Sequence, residues 1–118
     1  MTTAPGVPGM GIALSPGATD LAPERWRALV DHAVDAGFDS IWSLDNPLAD
    51  QAEPLVWLAT VAATYPGCGV GTAAVVAPVR EPILLAKQLA TLDRLTGGGR
   101  LTVGLTIVAT AVFGVIPV

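Results

Sequence analysis

Charge is scarce in this chain. Asp, Glu, Lys and Arg make up 14% of its 118 residues, against roughly 25% in soluble domains. Six Lys/Arg stand against ten Asp/Glu, for a formal net charge of -4. No basic run is present that could track a phosphate backbone, which argues against nucleic acid as a partner. Cysteine is reduced to Cys68, so an internal disulfide and any cysteine-based zinc spacing are excluded, and a reducing cytoplasm is the expected location. The single histidine, His32, falls on the polar side of a helical pattern and reads as a surface residue, so no metal site is expected. Met1 to Gly17 has no cationic start and is broken by Pro5, Pro8 and Pro16, which does not fit a secretory signal.

What the chain has in quantity is apolar residues, 52% of the whole, and they are arranged in a repeat. Strand-like runs occur near Met10–Leu14, Ser40–Leu44, Val70–Val76 and Leu101–Leu105. Ile12 to Ile41 and Ile41 to Val70 are each 29 residues, and Val70 to Leu101 is 31. Between the runs lie helical patterns opened by Pro23, Pro54 and Pro82, where a first turn tolerates a missing N–H. Gly37, Gly67 and Gly97 are the expected stops. In the first helix Trp26, Leu29, Val30, Ala33 and Val34 form the apolar stripe, leaving Glu24, Arg25, Asp31 and Asp35 to water. The second, from Pro54 to about Tyr65, is apolar nearly all round, and the third lines up Leu85, Leu89, Leu92 and Leu95.

Strands apolar on both faces and joined by helices predict an α/β fold with a parallel sheet. Periodicity alone leaves open a doubly wound sheet or part of a β/α barrel. The first strand-to-helix loop, Ser15 to Asp20, lacks the glycine fingerprint of a dinucleotide fold. The whole chain, 1–118, is read as one domain of about four strands and three helices, with residues 1–8 flexible and 107–118 an apolar tail of unassigned structure. Leu101 to Val118 holds no charge over 18 residues, close to the minimum for a membrane span; its Thr, Val and Gly content favours strand, and a membrane anchor is the lesser reading.

Three stretches carry a family likeness: Ala36 to Trp42 followed by Asp45; Gly71 to Pro82; and Leu84 to Leu95 running through Gly97–Gly98–Gly99 to Gly104. In this order they resemble the luciferase-like monooxygenase superfamily of flavin- and deazaflavin-dependent oxidoreductases, over roughly residues 9 to 106. The resemblance implies the N-terminal half of a TIM barrel, with FMN or the deazaflavin coenzyme F-420 at the carboxyl ends of the strands and redox chemistry on a small-molecule substrate. Members run to a full barrel, so the likeness also implies a truncated half-barrel lacking later phosphate-binding loops. The alternative is a non-catalytic half-barrel that self-associates or complements a partner chain, because the outer edges of the first and last strands are left unpaired.

In a barrel the chemistry sits in the loops after the strands. Asp45 is the first candidate for orienting a ligand or accepting a proton, its bland counterpart being an Asx-turn into Asn46–Pro47. Asn46 stands beside it where the family often has histidine, and cannot titrate near neutrality. Ser15, Thr72, Ala73 and Ala74 are the candidate cofactor-binding residues. The resemblance implies a bend, often with a non-proline cis peptide, at Ala73–Ala74, where small side chains let a flat ring approach. Arg80 is expected to pair with Glu81 in water. Gly97 to Gly99 leads into a strand and reads as a turn at the far face, and Cys68 as an inert thiol.

Overall fold

The computed structural model describes residues 9–107. Within them β1 (Gly11–Ala13), α1 (Pro23–Asp35), β2 (Ser40–Ser43), α2 (Pro54–Thr64), β3 (Gly69–Val76), α3 (Pro82–Leu95) and β4 (Leu101–Thr106) alternate in order, with one-turn 3-10 helices at Ala18–Asp20 and Ala77–Val79. The strands are parallel and stand side by side in chain order. Residues from all three helices share one core with the sheet: Trp26, Val30 and Ala33 of α1, Trp57, Leu58 and Val61 of α2, and Leu92 of α3. Helices on a single face of an unreversed parallel order make a stretch of barrel wall, since a doubly wound sheet is covered on both faces.

Register explains the core. Ile12, Ile41, Val70 and Leu101 pair across the four strands and pack into the helix-side core, where Ile41 and Val70 are fully buried. Burying such a side chain contributes about 1.5–3 kcal/mol. The next row, Ala13, Trp42, Gly71 and Thr102, faces the other way because strand side chains alternate. Trp42 spreads its indole along this second face. Its ring carbons occupy the space that a Cβ at Gly71 would need, and its indole nitrogen and neighbouring carbon do the same at Gly11. The indole N–H donates to Ser40 Oγ at 2.9 Å.

Each helix opens on its proline, and the residue before it completes the cap in two cases. Glu53 and Glu81 accept from the backbone N–H of Val56 and Leu84, which satisfies donors a helix start leaves unpaired. Two of the three glycine stops work as expected. Gly37 has φ +97°, and Gly97 has φ +88°. After α1 the N–H groups of Gly37 and Phe38 return to Val34 O and Ala33 O; after α3 those of Gly97 and Gly98 return to Arg94 O and Asp93 O. Both are Schellman closures, in which a left-handed residue lets the chain turn back on the last carbonyls.

Gly67 is different. It is not among the left-handed residues, and α2 ends at Thr64 on a Tyr65 with φ -123° and ψ 82°, outside the helical range. Arg100 takes over. Its guanidinium donates to Ala62 O (3.0 Å), Tyr65 O (2.8 Å) and Cys68 O (2.9 Å), placing a cation on carbonyls at the negative end of the helix.

The apolar stripes are less buried than their periodicity suggests. Leu29 is 37% exposed, Val56 67% and Leu95 81%. Each lies at the margin of a helix that touches the sheet on one side, where no neighbouring element among the described residues covers it. No described helix is long and apolar enough to cross a membrane. The expectations for residues 1–8 and for the tail from 108 onward lie outside the described residues.

Candidate functional site

The carboxyl ends of the strands bring together most of the expected site residues. Asp45 lies two residues past β2. Its side chain is 2% exposed and its Oδ2 is shared by three donors: the Val76 N–H at 2.8 Å, Arg80 Nη2 at 2.9 Å and Arg80 Nε at 3.3 Å. The carboxylate therefore reaches across to the end of β3 rather than closing a local Asx-turn on Asn46–Pro47. Arg80 is correspondingly not the solvated partner of Glu81, which is occupied in capping α3. Arg80 sits 17% exposed between Asp45 and Glu53, with its Nη1 3.0 Å from Glu53 Oε1.

Glu53 in turn uses its other oxygen, Oε2, to cap α2. A chain of charge thus runs from the end of β2 through the loop after β3 to the start of α2. Burial alone would lower the basicity of Arg80, but the hydrogen bond and charge of Asp45, joined by Glu53, outweigh it and hold the guanidinium above its usual value. Opposite charge close by favours the ionised form.

Beside this network is a cleft of about 260 Å³ lined by Asp45, Asn46, Gln51, Glu53, Val79 and Arg80, among others. Asn46 contributes to its wall, and its backbone carbonyl accepts the Ala49 N–H in the turn that shapes the loop. Ser15 lies in the neighbouring loop and accepts the Leu44 N–H at 3.0 Å. The same two loops are tied again by Ala52 N–H to Pro16 O and by a bridge between Gly17 and Gln51. Ser15 therefore braces the loop that carries Asp45.

Thr72 is fully buried. Its hydroxyl donates to Gly104 O at 2.9 Å and accepts the Gly104 N–H at 3.0 Å, standing in for the backbone ladder where pairing with β4 shifts between Thr72 and Val75. Gly104 is required by this approach, since a Cβ there would lie 2.6 Å from Thr72 O. Between those two buried residues Ala73 is exposed and Ala74 half-buried. The Ala73–Ala74 peptide bond is cis.

At the opposite end of the sheet, Gly97, Gly98 and Gly99 have φ between +80° and +88° with open space around each. They form a turn into β4, away from the cleft. His32 is exposed on α1, and Cys68 is buried, its thiol pushed up in pKa chiefly by that burial. Among the described residues no three His, Cys, Asp or Glu are grouped to hold a metal.

A family model described as luciferase-like monooxygenase matches residues 8–110. The chain belongs to that family. A solved structure, the coenzyme F420-dependent tetrahydromethanopterin reductase from Methanopyrus kandleri, superposes with a TM-score of 0.70 at 28% identity. The match covers 89% of this chain and 28% of the reductase, so this luciferase-like chain spans a little over a quarter of that relative's length. No curated protein matches it.

Of the residues singled out in the sequence of this family member, Asp45 and Asn46 line the cleft and Ala73–Ala74 carries a cis bond, whereas the place of Glu53 and the bridging of Arg80 were not anticipated. Glu53 immediately precedes Pro54, a pattern that marks a helix cap, and a cap at a strand's carboxyl end also borders the cleft.

Proposed function

We propose that this chain supplies one wall of the ring-binding site of a luciferase-like oxidoreductase, with FMN or coenzyme F-420 as cofactor and a small organic molecule as substrate. The observation that carries the reading is the end of β3. Ala73 and Ala74 leave backbone and bare methyl groups open between the buried Thr72 and Val75, a surface against which a flat ring can lie without displacing a side chain. The cleft with Asp45 and Asn46 is the companion place for substrate. When bound, such a ring supplies hydride transfer or activation of oxygen.

The protein's own part is to bind and orient. Ala73 and Ala74 present the flat contact, and Asn46 offers an amide donor and acceptor at the cleft wall. Asp45, held by Arg80, acts as a fixed negative charge toward polar groups of the substrate. Thr72, with both its hydrogen bonds spent on Gly104, supports the bend from beneath. Ser15 supports the Asp45 loop in the same indirect way. At this edge Arg80 and Arg25 are both paired with carboxylates, so the described residues fit the ring better than its phosphate. A cytoplasmic setting accompanies this reading, supported by a lone cysteine kept as a buried thiol.

Titrating the purified chain with FMN and, separately, with coenzyme F-420 tests the proposal. Saturable quenching of cofactor fluorescence is expected, weakened by Ala73→Leu, whose larger side chain intrudes on the flat surface. Absence of saturation with both cofactors would refute a ring site on this chain.

A second reading is favoured by a separate observation. Met10 beside β1 is 64% exposed, and Leu105 and Ile107 at β4 are 58% and 80% exposed. Apolar outer strands of this kind favour pairing with a second copy or a complementing chain. Light scattering at tens of micromolar distinguishes the two, a strict monomer counting against this second reading.

A further inference from the structure

We propose that Arg80 is a positioning residue. By bridging Asp45 and Glu53 it fixes the loop between β2 and α2 against the end of β3, and so sets the mouth of the cleft. The part of this inference that concerns ligand rests on the ring-site reading given above; the part that concerns the loop does not.

Three features single Arg80 out. Its guanidinium spends Nε and Nη2 on one carboxylate and Nη1 on another, a forked geometry that lysine cannot reproduce. The two carboxylates belong to opposite ends of the same loop, Asp45 where it leaves β2 and Glu53 where it enters α2. Each carboxylate is itself anchored to backbone, Asp45 to the Val76 N–H and Glu53 to the Val56 N–H. The bridge therefore couples two strand ends and a helix start through one side chain. Without it the Asp45–Val76 bond and the Ser15 and Pro16 contacts lose their shared brace and open more often, since nothing else holds Glu53 toward Asp45 across the cleft.

The remaining charges near the bridge do not compete with it. Glu81 caps α3, and Arg25 faces Asp20 at 3.9 Å. Loss of Arg80 would thus leave two carboxylates facing one cleft, and their repulsion would open the loop rather than let it re-form.

Amide hydrogen exchange and cofactor binding, measured on wild type, Arg80→Lys and Arg80→Ala, test the inference together. In Arg80→Ala, protection is expected to fall at least about tenfold over residues 44–53 and at the Val76 amide, while Ile41 and Val70 keep theirs. Affinity for FMN or coenzyme F-420 is expected to fall about tenfold, the scale of one charged hydrogen bond. Arg80→Lys should sit between, keeping the charge but losing the fork. Should the alanine variant not fold, the same comparison is read from the lysine variant.

Unchanged protection over 44–53, or a uniform loss that includes Ile41 and Val70, would overturn the positioning role. Loosened protection with undiminished affinity would overturn it as well, because the loop would then not set the site. If wild type binds neither cofactor, the ring-site reading fails, and the exchange data alone still decide whether Arg80 fixes the loop.

Discussion

Two arginines stand at opposite ends of this sheet and do different work. Arg100, at the amino ends of the strands, spends its guanidinium on the backbone carbonyls of Ala62, Tyr65 and Cys68. Arg80, at the carboxyl ends, spends its own on the side chains of Asp45 and Glu53. The first closes a helix that has no glycine stop; the second arranges charged groups around a cleft. That contrast follows the division of labour in β/α barrels, where one rim is given to stability and the other to chemistry.

The comparison is broken most severely at Arg100. Arg100→Ala leaves three carbonyls without their charged donor and should lower stability by about 3 kcal/mol, read from urea unfolding. Cofactor affinity of the molecules that remain folded should be unchanged. A loss of affinity without loss of stability would erase the distinction between the two rims.

A smaller effect is expected midway along the sheet. Gly71→Val drives a side chain into the indole of Trp42, since even a Cβ there would lie 2.6 Å from a ring carbon. Overpacking of this kind costs about 2 kcal/mol. The change should appear in near-ultraviolet circular dichroism as an altered tryptophan signal, because Trp42 lies on the open face while Trp26 and Trp57 pack edge-to-face at 5.5 Å in the core. An unaltered signal with full stability would mean that Gly71 is not there to make room for the indole.

The smallest effect sharpens the stability rim. The Tyr65 hydroxyl donates to Asp31 at 2.7 Å, and burial, then that hydrogen bond and the Asp31 charge, push its pKa from 10.0 to about 12. The folded chain holds the phenolic proton more tightly than the unfolded one. The resulting stabilisation is complete below pH 10 and is lost as the pH rises toward about 12. Tyr65 is the sole tyrosine, so phenolate absorbance reports it directly, and Asp31→Asn should bring its midpoint down.

Much of the fold was legible because local signals agreed. Pro23, Pro54 and Pro82 mark the three helix starts, and the spacing of Ile12, Ile41, Val70 and Leu101 anticipates the paired row at the core. Periodicity overstated burial at Leu29 and Leu95 because it reports which side of a helix is apolar, not how far a neighbour extends over it. Gly67 misled for a related reason: a glycine near a helix end permits a left-handed stop without requiring one, and the carbonyls were met instead by Arg100, more than thirty residues away along the chain.

The site was legible in part. Asp45 could be placed past β2 from the strand pattern, but its partners could not, since Arg80 and Glu53 meet it only through the parallel order of β2 and β3. Adjacent charges in sequence suggested Arg80 with Glu81, whereas the fold turns Glu81 onto its own helix and leaves Arg80 facing the cleft. Thr72 was singled out by the family resemblance at the bend of the third strand, and only the shifted register with β4 reveals that its hydroxyl replaces a backbone partner.

The most direct test of a ring site at the carboxyl rim is the pattern of backbone amide shifts when saturating FMN or coenzyme F-420 is added. Perturbations should gather at Ala73, Ala74, Asp45 and Asn46 and leave Gly97 to Arg100 undisturbed. Shifts centred on Gly97 to Arg100, or none at either rim, would contradict it.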